Sequence, residues 1–181
     1  MKKIILSLFF LSITAFGFDY NEILLKTQAT IYPKIILLDK NLNNKLVNGK
    51  IIYTIIYDHE DYQTALNIKA FIDKTYNGFF DTYPYEIKLI HCVDLSTQTD
   101  TTAIYVLNTC IDVKYLAEIA KEKGIISFAY DINNLGKGLL FSLNIERSTV
   151  FYLNKEKASS SNVDFVTPLL QMVKFVTKEN S

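Results

Sequence analysis

Hydrophobic positions in the first part of the chain switch from helical to strand-like spacing. From Tyr20 to Leu38, apolar side chains recur every three or four residues, which predicts an amphipathic helix bent near Pro33. Lys50 to Tyr57 is an uninterrupted β-prone run and predicts a strand covered on both faces. Asp58 is expected to cap a second helix, which ends near Gly78.

The middle of the chain repeats this alternation. Tyr85 to Cys92 and Ala103 to Leu107 predict two more strands, separated by a polar loop. Asp112 is expected to cap a third helix that Gly124 stops, and Ile125 to Tyr130 predicts a fourth strand. Because strands that alternate with helices are joined by right-handed crossovers, we expect a largely parallel sheet with helices on its faces.

The last part of the chain is patterned differently. Leu139 to Ile145 and Thr149 to Leu153 are short β-prone runs that predict an antiparallel hairpin. Asn154 is expected to cap a short helix, and Thr167 to cap a final one. The buried stripe of that final helix is expected to comprise four apolar residues, Leu169, Leu170, Val173 and Val176. Together, residues 18–181 predict a single α/β domain with a Rossmann-like or flavodoxin-like, mostly parallel sheet and an added antiparallel hairpin.

Residues 1–17 have the layout of a secretory signal peptide. Two lysines precede an apolar run, Ile4 to Phe16, which is too short for a comfortable membrane span and ends with small residues at Ala15 and Gly17. We therefore expect export to the periplasm, cleavage after Gly17 and a mature chain that begins at Phe18. Since no cysteine lies near the expected cleavage point, nothing indicates a lipid anchor.

Charge and hydropathy exclude two classes of partner. The chain has 19 basic and 19 acidic residues, and loss of the two leader lysines gives a formal charge of about minus two. A nearly neutral chain with Arg147 as its one arginine offers little to a phosphate backbone, so we expect no nucleic-acid binding. Outside the leader no apolar run is long enough to cross a bilayer, so the cleaved chain is not expected to span a membrane.

Two cysteines, Cys92 and Cys110, are expected to meet an oxidising compartment after export. A disulfide between them is one prediction, and it would stabilise the fold by about 3 kcal/mol. Two buried free thiols are the alternative, because cysteines on strands separated by a third strand lie about 10 Å apart, too far to bridge.

Three segments near the carboxyl terminus resemble a known family. Gly124 to Phe128 reads Gly-Ile-Ile-Ser-Phe, Leu153-Asn154 precedes the short helix, and Val163 to Val173 reads Val-Asp-Phe-Val-Thr-Pro-Leu-Leu-Gln-Met-Val. These segments, with the spacing from Asn154 to Leu169-Leu170, are similar to the motifs of the YfiR-like family of periplasmic proteins. The resemblance extends back to the first helix. It assigns Asn154, Thr167, Leu169 and Leu170 structural roles in caps and core.

The resemblance implies a regulator without enzymatic activity. Better-known members of the family bind the periplasmic domain of an inner-membrane diguanylate cyclase and hold it inactive, which tunes cyclic-di-GMP output. The expected partner of this chain is therefore an inner-membrane sensor or diguanylate cyclase, and a homodimer is also compatible with the resemblance. No cofactor is implied.

Two ionisable clusters are candidates for binding or catalysis. Asp58-His59-Glu60-Asp61 lies where the first strand meets its helix, the edge at which open α/β sheets bind ligands. It supports an alternative function, small-solute binding or sensing, although carboxylates in a first helical turn are also explained by the helix dipole. His91 and Cys92 are adjacent on a predicted strand, so their side chains are expected to point to opposite faces and form no catalytic dyad. With no phosphate-loop or nucleophile motif, we predict no catalytic, cofactor or metal site.

Aromatic residues crowd the connection between the second helix and the second strand. The rings there belong to Tyr76, Phe79, Phe80, Tyr83 and Tyr85. Buried rings would close the core, whereas exposed rings would anchor a protein partner. We favour the core, and keep Tyr76, Phe79, Phe80 and Tyr83 as the candidate partner-binding residues.

Overall fold

The computed structural model describes residues 19–109 and 111–177, so the predicted leader and Cys110 lie outside the described residues. The helices are α1 (Glu22–Ile36), α2 (Tyr62–Tyr76), α3 (Val113–Glu122), α4 (Lys155–Ser160) and α5 (Thr167–Met172). The strands are β1 (Ile51–Tyr57), β2 (Phe79–Phe80), β3 (Tyr83–His91), β4 (Ala103–Val106), β5 (Ile126–Ala129), β6 (Phe141–Ile145), β7 (Thr149–Asn154) and β8 (Val173–Val176).

The strands form one sheet in the order β2-β3-β1-β4-β5-β6-β7-β8. β3, β1, β4, β5 and β6 are parallel to one another, and β2 pairs antiparallel with β3. β6 and β7 form the antiparallel hairpin, and β8 runs parallel to β7. The predicted α/β class is confirmed, and β1 is buried on both faces as its apolar run predicts. Because β3 and β4 flank β1 on opposite sides, the direction of winding reverses between β1 and β4.

The face of the sheet that α1 and α2 cover has an aromatic core. Tyr32 stacks on Phe128 with ring centroids 4.3 Å apart, and its hydroxyl donates to the carbonyl of Ala129 at 2.9 Å. The opposite face packs aliphatic side chains of the sheet against α3, whose inner stripe includes Leu116 and Ala120. Each face therefore has its own core, one rich in rings and one aliphatic.

α1 also supplies polar groups to the sheet where β5 and β6 cease to pair. These two strands pair only from Phe128 with Phe141 to Ala129 with Ser142. Beyond that point the buried Gln28 amide donates to the carbonyl of Leu143 at 2.8 Å. Its oxygen accepts the hydroxyl of Tyr105. The Gln28 side chain thus makes a hydrogen bond that a longer pairing of β5 with β6 would otherwise supply. The buried carbonyl of Leu143 is therefore not left without a partner.

The start of α2 differs from the prediction, whereas its end and the start of α3 agree with it. Asp58 caps a 3₁₀ turn, His59–Asp61, by accepting the amide of His59, and α2 begins only after that turn. Asn77 ends α2 in the left-handed conformation, one residue before Gly78. Asp112 caps α3 as predicted, through the amide of Lys114.

The final segment corrects three predictions. Val166 is the cap residue of α5 and Thr167 already lies inside the helix, so Thr167 supplies no cap. The helix stops at Met172 and the chain continues as β8, which places Val173 and Val176 on a strand rather than on a helical stripe. Leu169 is buried as predicted, but Leu170 is not part of the buried stripe, because a six-residue helix turns only one narrow face to the sheet.

Candidate functional site

The carboxyl ends of β1 and β3 bring together a histidine pair and a carboxylate. In the parallel register Tyr57 of β1 lies opposite His91 of β3, so the residues that follow each strand meet at one edge. Asp58 Oδ1 lies 3.6 Å from His91 Nε2. The ring of His59 stacks on His91 with centroids 3.8 Å apart. The Asp58 cluster lies at the predicted edge of the sheet. The ionisable side chain that approaches Asp58 there is His91, the last residue of β3.

Cys92 adds sulfur to this edge. Its Sγ lies 3.7 Å from His91 Nε2, so the prediction that the two side chains point to opposite faces is wrong. The physical reason is that β3 ends at His91 and Cys92 begins a 3₁₀ turn, which cancels the alternation of a strand. Cys92 is buried and disulfide-bonded. Since Cys110 lies outside the described residues, the bridge between these two residues stays a prediction.

A second polar group lies at the crevice between β1 and β4, where the winding of the sheet reverses. Asp61 is buried there, and Asn108 follows β4. Burial raises the pKa of the Asp61 carboxyl, and the neighbouring charge of Asp58 adds to the rise, whereas the side chains of Tyr20 and Asn108 oppose it. Open α/β sheets bind ligands at such a reversal, so this crevice is a candidate ligand site.

A groove between α1 and α2 leads to the same region. It encloses about 340 Å³ and is walled by Leu25, Ile68 and Phe71, with Tyr20 among its lining residues. Tyr20 packs edge-on against Tyr130 with ring centroids 4.8 Å apart. Burial raises the pKa of the Tyr20 hydroxyl. The groove therefore combines apolar walls with a phenol that faces the Asp61 carboxyl.

The ring-rich connection mostly turns inward. Phe80 is 0% exposed and stacks on Tyr85 with ring centroids 4.0 Å apart, so it cannot anchor a partner, which corrects one of the candidate residues. Tyr76 packs on the core and donates its hydroxyl to the carbonyl of Thr30. The Tyr83 hydroxyl donates to the side chain of Asn43 at 3.0 Å. Phe79 is 54% exposed and stays a candidate contact.

Three apolar side chains are exposed at the opposite edge of the sheet. They belong to Leu170, Met172 and Phe175, and we call this surface the β8 edge. Their exposed fractions are 36%, 62% and 50%. β8 is the last strand in the order, and within the described ranges no strand pairs with its outer side. The β8 edge therefore joins exposed apolar side chains to unpaired backbone groups.

Asn154 and Leu169, two of the residues on which the family resemblance rests, make structural contacts. The side chain of Asn154 accepts the amide of Lys157 at 3.0 Å, which confirms it as the cap of α4. Its amide group also donates to the carbonyl of Leu135 at 2.7 Å, which ties the hairpin to the preceding turn. Leu169 packs into the aromatic core. Over the described residues, no helix is long and apolar enough to cross a membrane.

Known proteins resemble this chain in fold and not in sequence. No family model and no curated protein matches the chain. One similar solved structure is a conserved domain protein from Vibrio cholerae O1 biovar El Tor, with a TM-score of 0.57 and 10% identity over 85% of this chain. Another is an ABC domain in complex with L-Trp from Streptococcus pneumonia, with a TM-score of 0.53 and 12% identity over 84% of this chain. The chain spans 60% of the length of each neighbour. These likenesses are consistent with the α/β fold of the chain and show the fold alone.

Sequence reasoning missed the contact of Asp58 with the His91-Cys92 pair. The signal was present in the two apolar runs, because both were predicted as strands of a largely parallel sheet, and the carboxyl ends of parallel strands share an edge. Only the register, with Tyr57 opposite His91, decides which side chains meet there. The β8 edge was missed because the segment after Thr167 was predicted to be one helix, with Leu170 in its buried stripe.

Proposed function

We propose that this chain is an exported regulatory protein that acts by direct contact with a membrane-bound signalling enzyme. The single observation that carries the proposal is the β8 edge, where apolar side chains and unpaired strand groups are exposed together. Exposed apolar clusters of this kind are typical of protein interfaces. An open strand edge also offers main-chain hydrogen bonds to an extended segment of a partner.

The β8 edge is held in place by its inner neighbours. Phe175 lies opposite Leu153 in the β7 register, and Leu169 anchors the preceding helix in the core. A surface that is already ordered loses little conformational entropy when a partner binds. The exposed side chains of the β8 edge are therefore suited to act as anchors.

Lys174 does not shield this edge. Charged side chains often protect an open strand from pairing. Here the Lys174 ammonium lies 3.7 Å from Glu146 and 5.6 Å from the centre of the Tyr152 ring, so it contacts the inner strands. The outer side of β8 is left accessible to a partner.

The class of partner comes from the resemblance to YfiR-like proteins. That resemblance implies the periplasmic domain of an inner-membrane sensor or diguanylate cyclase, and therefore an effect on cyclic-di-GMP signalling. The predicted leader would deliver the chain to that compartment. Regulation by contact requires no turnover by the chain itself.

The test compares two exposed phenylalanines at opposite edges of the sheet. Phe175→Ser should abolish capture of the membrane partner in a pull-down from detergent-extracted membranes, because one aromatic anchor often supplies 2 kcal/mol or more of binding energy, about thirtyfold in affinity. Phe79→Ser is the matched control, since Phe79 is similarly exposed on β2, and it should retain capture. Both variants should melt as the parent does.

Reversed results would refute the β8 edge and support the ring-rich connection as the contact surface. Failure to capture any signalling enzyme, together with unchanged cyclic-di-GMP output after deletion of the gene, would refute regulation by contact.

Small-solute binding is the second candidate. It is supported by the groove between α1 and α2, which pairs apolar walls with Tyr20 and the buried Asp61 near the reversal point of the sheet. One neighbour of similar fold was solved in complex with L-Trp, so L-Trp is the first probe. Calorimetry should detect binding that Phe71→Ala weakens at least tenfold. No heat with L-Trp at millimolar concentration would reject this solute.

A further inference from the structure

We propose that Asp58, His91 and Cys92 form a zinc site that becomes available when the disulfide of Cys92 is reduced. The three residues offer one carboxylate oxygen, one imidazole nitrogen and one sulfur, and these atoms all lie within 4.8 Å of one another. This ligand set is one that zinc accepts, with solvent in the fourth position.

The two distances from His91 Nε2 to the other ligand atoms are close to those of a tetrahedral ion. Zinc bonds of about 2.0 to 2.3 Å at tetrahedral angles place ligand atoms roughly 3.3 to 3.6 Å apart. Asp58 Oδ1 lies 3.6 Å from His91 Nε2, and His91 Nε2 lies 3.7 Å from Cys92 Sγ. The Asp58 carboxylate and Cys92 Sγ lie within 4.8 Å of each other, so a shift of up to about 1 Å, which the partly exposed Asp58 side chain can make, would complete the site.

Each ligand is positioned by the fold before any metal arrives. Asp58 accepts the amide of His59 at 2.6 Å, which orients its carboxylate. His91 is the last residue of β3 and packs against the ring of Tyr57 at a centroid distance of 6.0 Å. Cys92 is buried at the start of its turn. A preorganised donor set of this kind loses little entropy on binding the ion.

The disulfide and zinc compete for the same sulfur. Zinc binds a thiolate, so it cannot use the Cys92 sulfur while that sulfur is bonded to another. A dithiol reductant transfers two electrons and two protons to the bridge, breaks the S–S bond and leaves as its own cyclic disulfide. The Cys92 thiol then releases its proton to solvent as the Zn–S bond forms. Zinc consequently stabilises the reduced form of the chain.

Soft sulfur distinguishes this site from one for magnesium or calcium. Thiolate and imidazole favour zinc, whereas magnesium and calcium require oxygen ligands. The exposed His59 stacks on the back of His91 and is not among the three convergent groups, which makes it the matched control for an imidazole effect.

The experiment is a calorimetric titration of the full mature chain with Zn²⁺ alone, repeated with Co²⁺ to observe thiolate charge-transfer absorption. The oxidised chain should bind at least tenfold more weakly than the chain reduced by a phosphine, which itself competes poorly for zinc. Cys110→Ser leaves Cys92 as the one cysteine of the chain, so that variant should bind zinc without reductant.

Substitution of a ligand tests whether the three named residues hold the ion. In the Cys110→Ser background, His91→Gln and Cys92→Ser should each lower zinc affinity at least tenfold, because even outer groups of a zinc site cost that much when removed. Cys92→Ser should also abolish the charge-transfer band. His59→Gln should leave both signals unchanged, and circular dichroism should confirm that every variant is folded.

Three results would overturn the proposal. Equal zinc affinity in the oxidised and reduced chains would show that Cys92 is not a ligand. Unchanged binding in His91→Gln would place the metal elsewhere, and loss of binding in His59→Gln alone would assign the ion to a different imidazole.

Discussion

The two edges of the sheet differ in how far they bury a phenylalanine. At the β2 and β3 edge, Phe80 is buried between Tyr76 and Tyr85. At the β8 edge, Phe175 and the preceding Met172 are exposed. At the first edge Phe79 is exposed but the neighbouring rings complete the core, whereas at the second edge all three apolar side chains of the β8 edge are partly in solvent. A cluster of aromatic residues in the sequence therefore does not indicate which edge of the sheet is available to a partner.

The difference arises from what lies over each edge. α2 ends beside β2, and its last residue, Tyr76, meets the ring of Phe80 with centroids 4.9 Å apart. α5 has six residues and buries only Leu169 among its side chains. A short helix covers little of the strand that follows it, so Val173 is buried but Phe175 remains partly in solvent.

The sharpest stability contrast is expected between two adjacent phenylalanines. Phe80→Ala should lower the free energy of unfolding by about 3 to 5 kcal/mol, because it removes a fully buried ring. Phe79→Ala should change it by less than about 0.5 kcal/mol, because that ring is mainly in solvent. Urea unfolding of both variants measures the two values. Similar losses would mean that Phe79 is also packed in the core.

Reduction of the Cys92 disulfide should have the next largest effect. Loss of a native bridge in a small exported domain costs about 2 to 5 kcal/mol, so the reduced chain should melt at a lower temperature. The melt should be measured with a chelator present, since bound zinc would offset the loss. Two thiols titrated in the oxidised, unfolded chain would contradict the presence of a bridge.

Leu169 and Leu170 provide a matched pair within the final segment. Leu169→Ala should cost about 2 to 5 kcal/mol through a core cavity. Leu170→Ala should cost much less, because the Leu170 side chain is partly exposed and lies outside the core clusters. Equal losses in urea unfolding would show that α5 packs in a different orientation and would remove the β8 edge as a surface.

Thr167→Ala should have the smallest effect. Replacement of a capping threonine costs about 1 kcal/mol, but Thr167 lies inside α5 and the preceding Val166 makes no side-chain cap. The expected change is therefore less than about 0.5 kcal/mol. Asn154→Ala is the positive control, because Asn154 does cap α4, and its loss should exceed that of Thr167→Ala.

Local signals predicted much of the fold, and contacts between distant segments explain the rest. The apolar run of β1 and the caps Asp112 and Asn154 act within a few residues, so the sequence alone identified them. β8 depends on pairing with β7, and its four residues carry too short a pattern to mark a strand.

The candidate site was less accessible to sequence reasoning. The approach of Asp58 to His91 depends on the register of two parallel strands, which no local pattern specifies. The exposure of Phe175 depends on how little of β8 is covered by α5. Both features require the assembled sheet.

Site-specific photo-crosslinking tests the central claim, contact through the β8 edge, most directly. A photoreactive residue is placed at position 172 in one variant and at position 79 in another, and each is irradiated in intact cells. Crosslinks from position 172 to one membrane-bound signalling enzyme, with none from position 79, are the expected result. Crosslinks from position 79 alone, or from neither position, would contradict the assignment of the β8 edge as the contact surface.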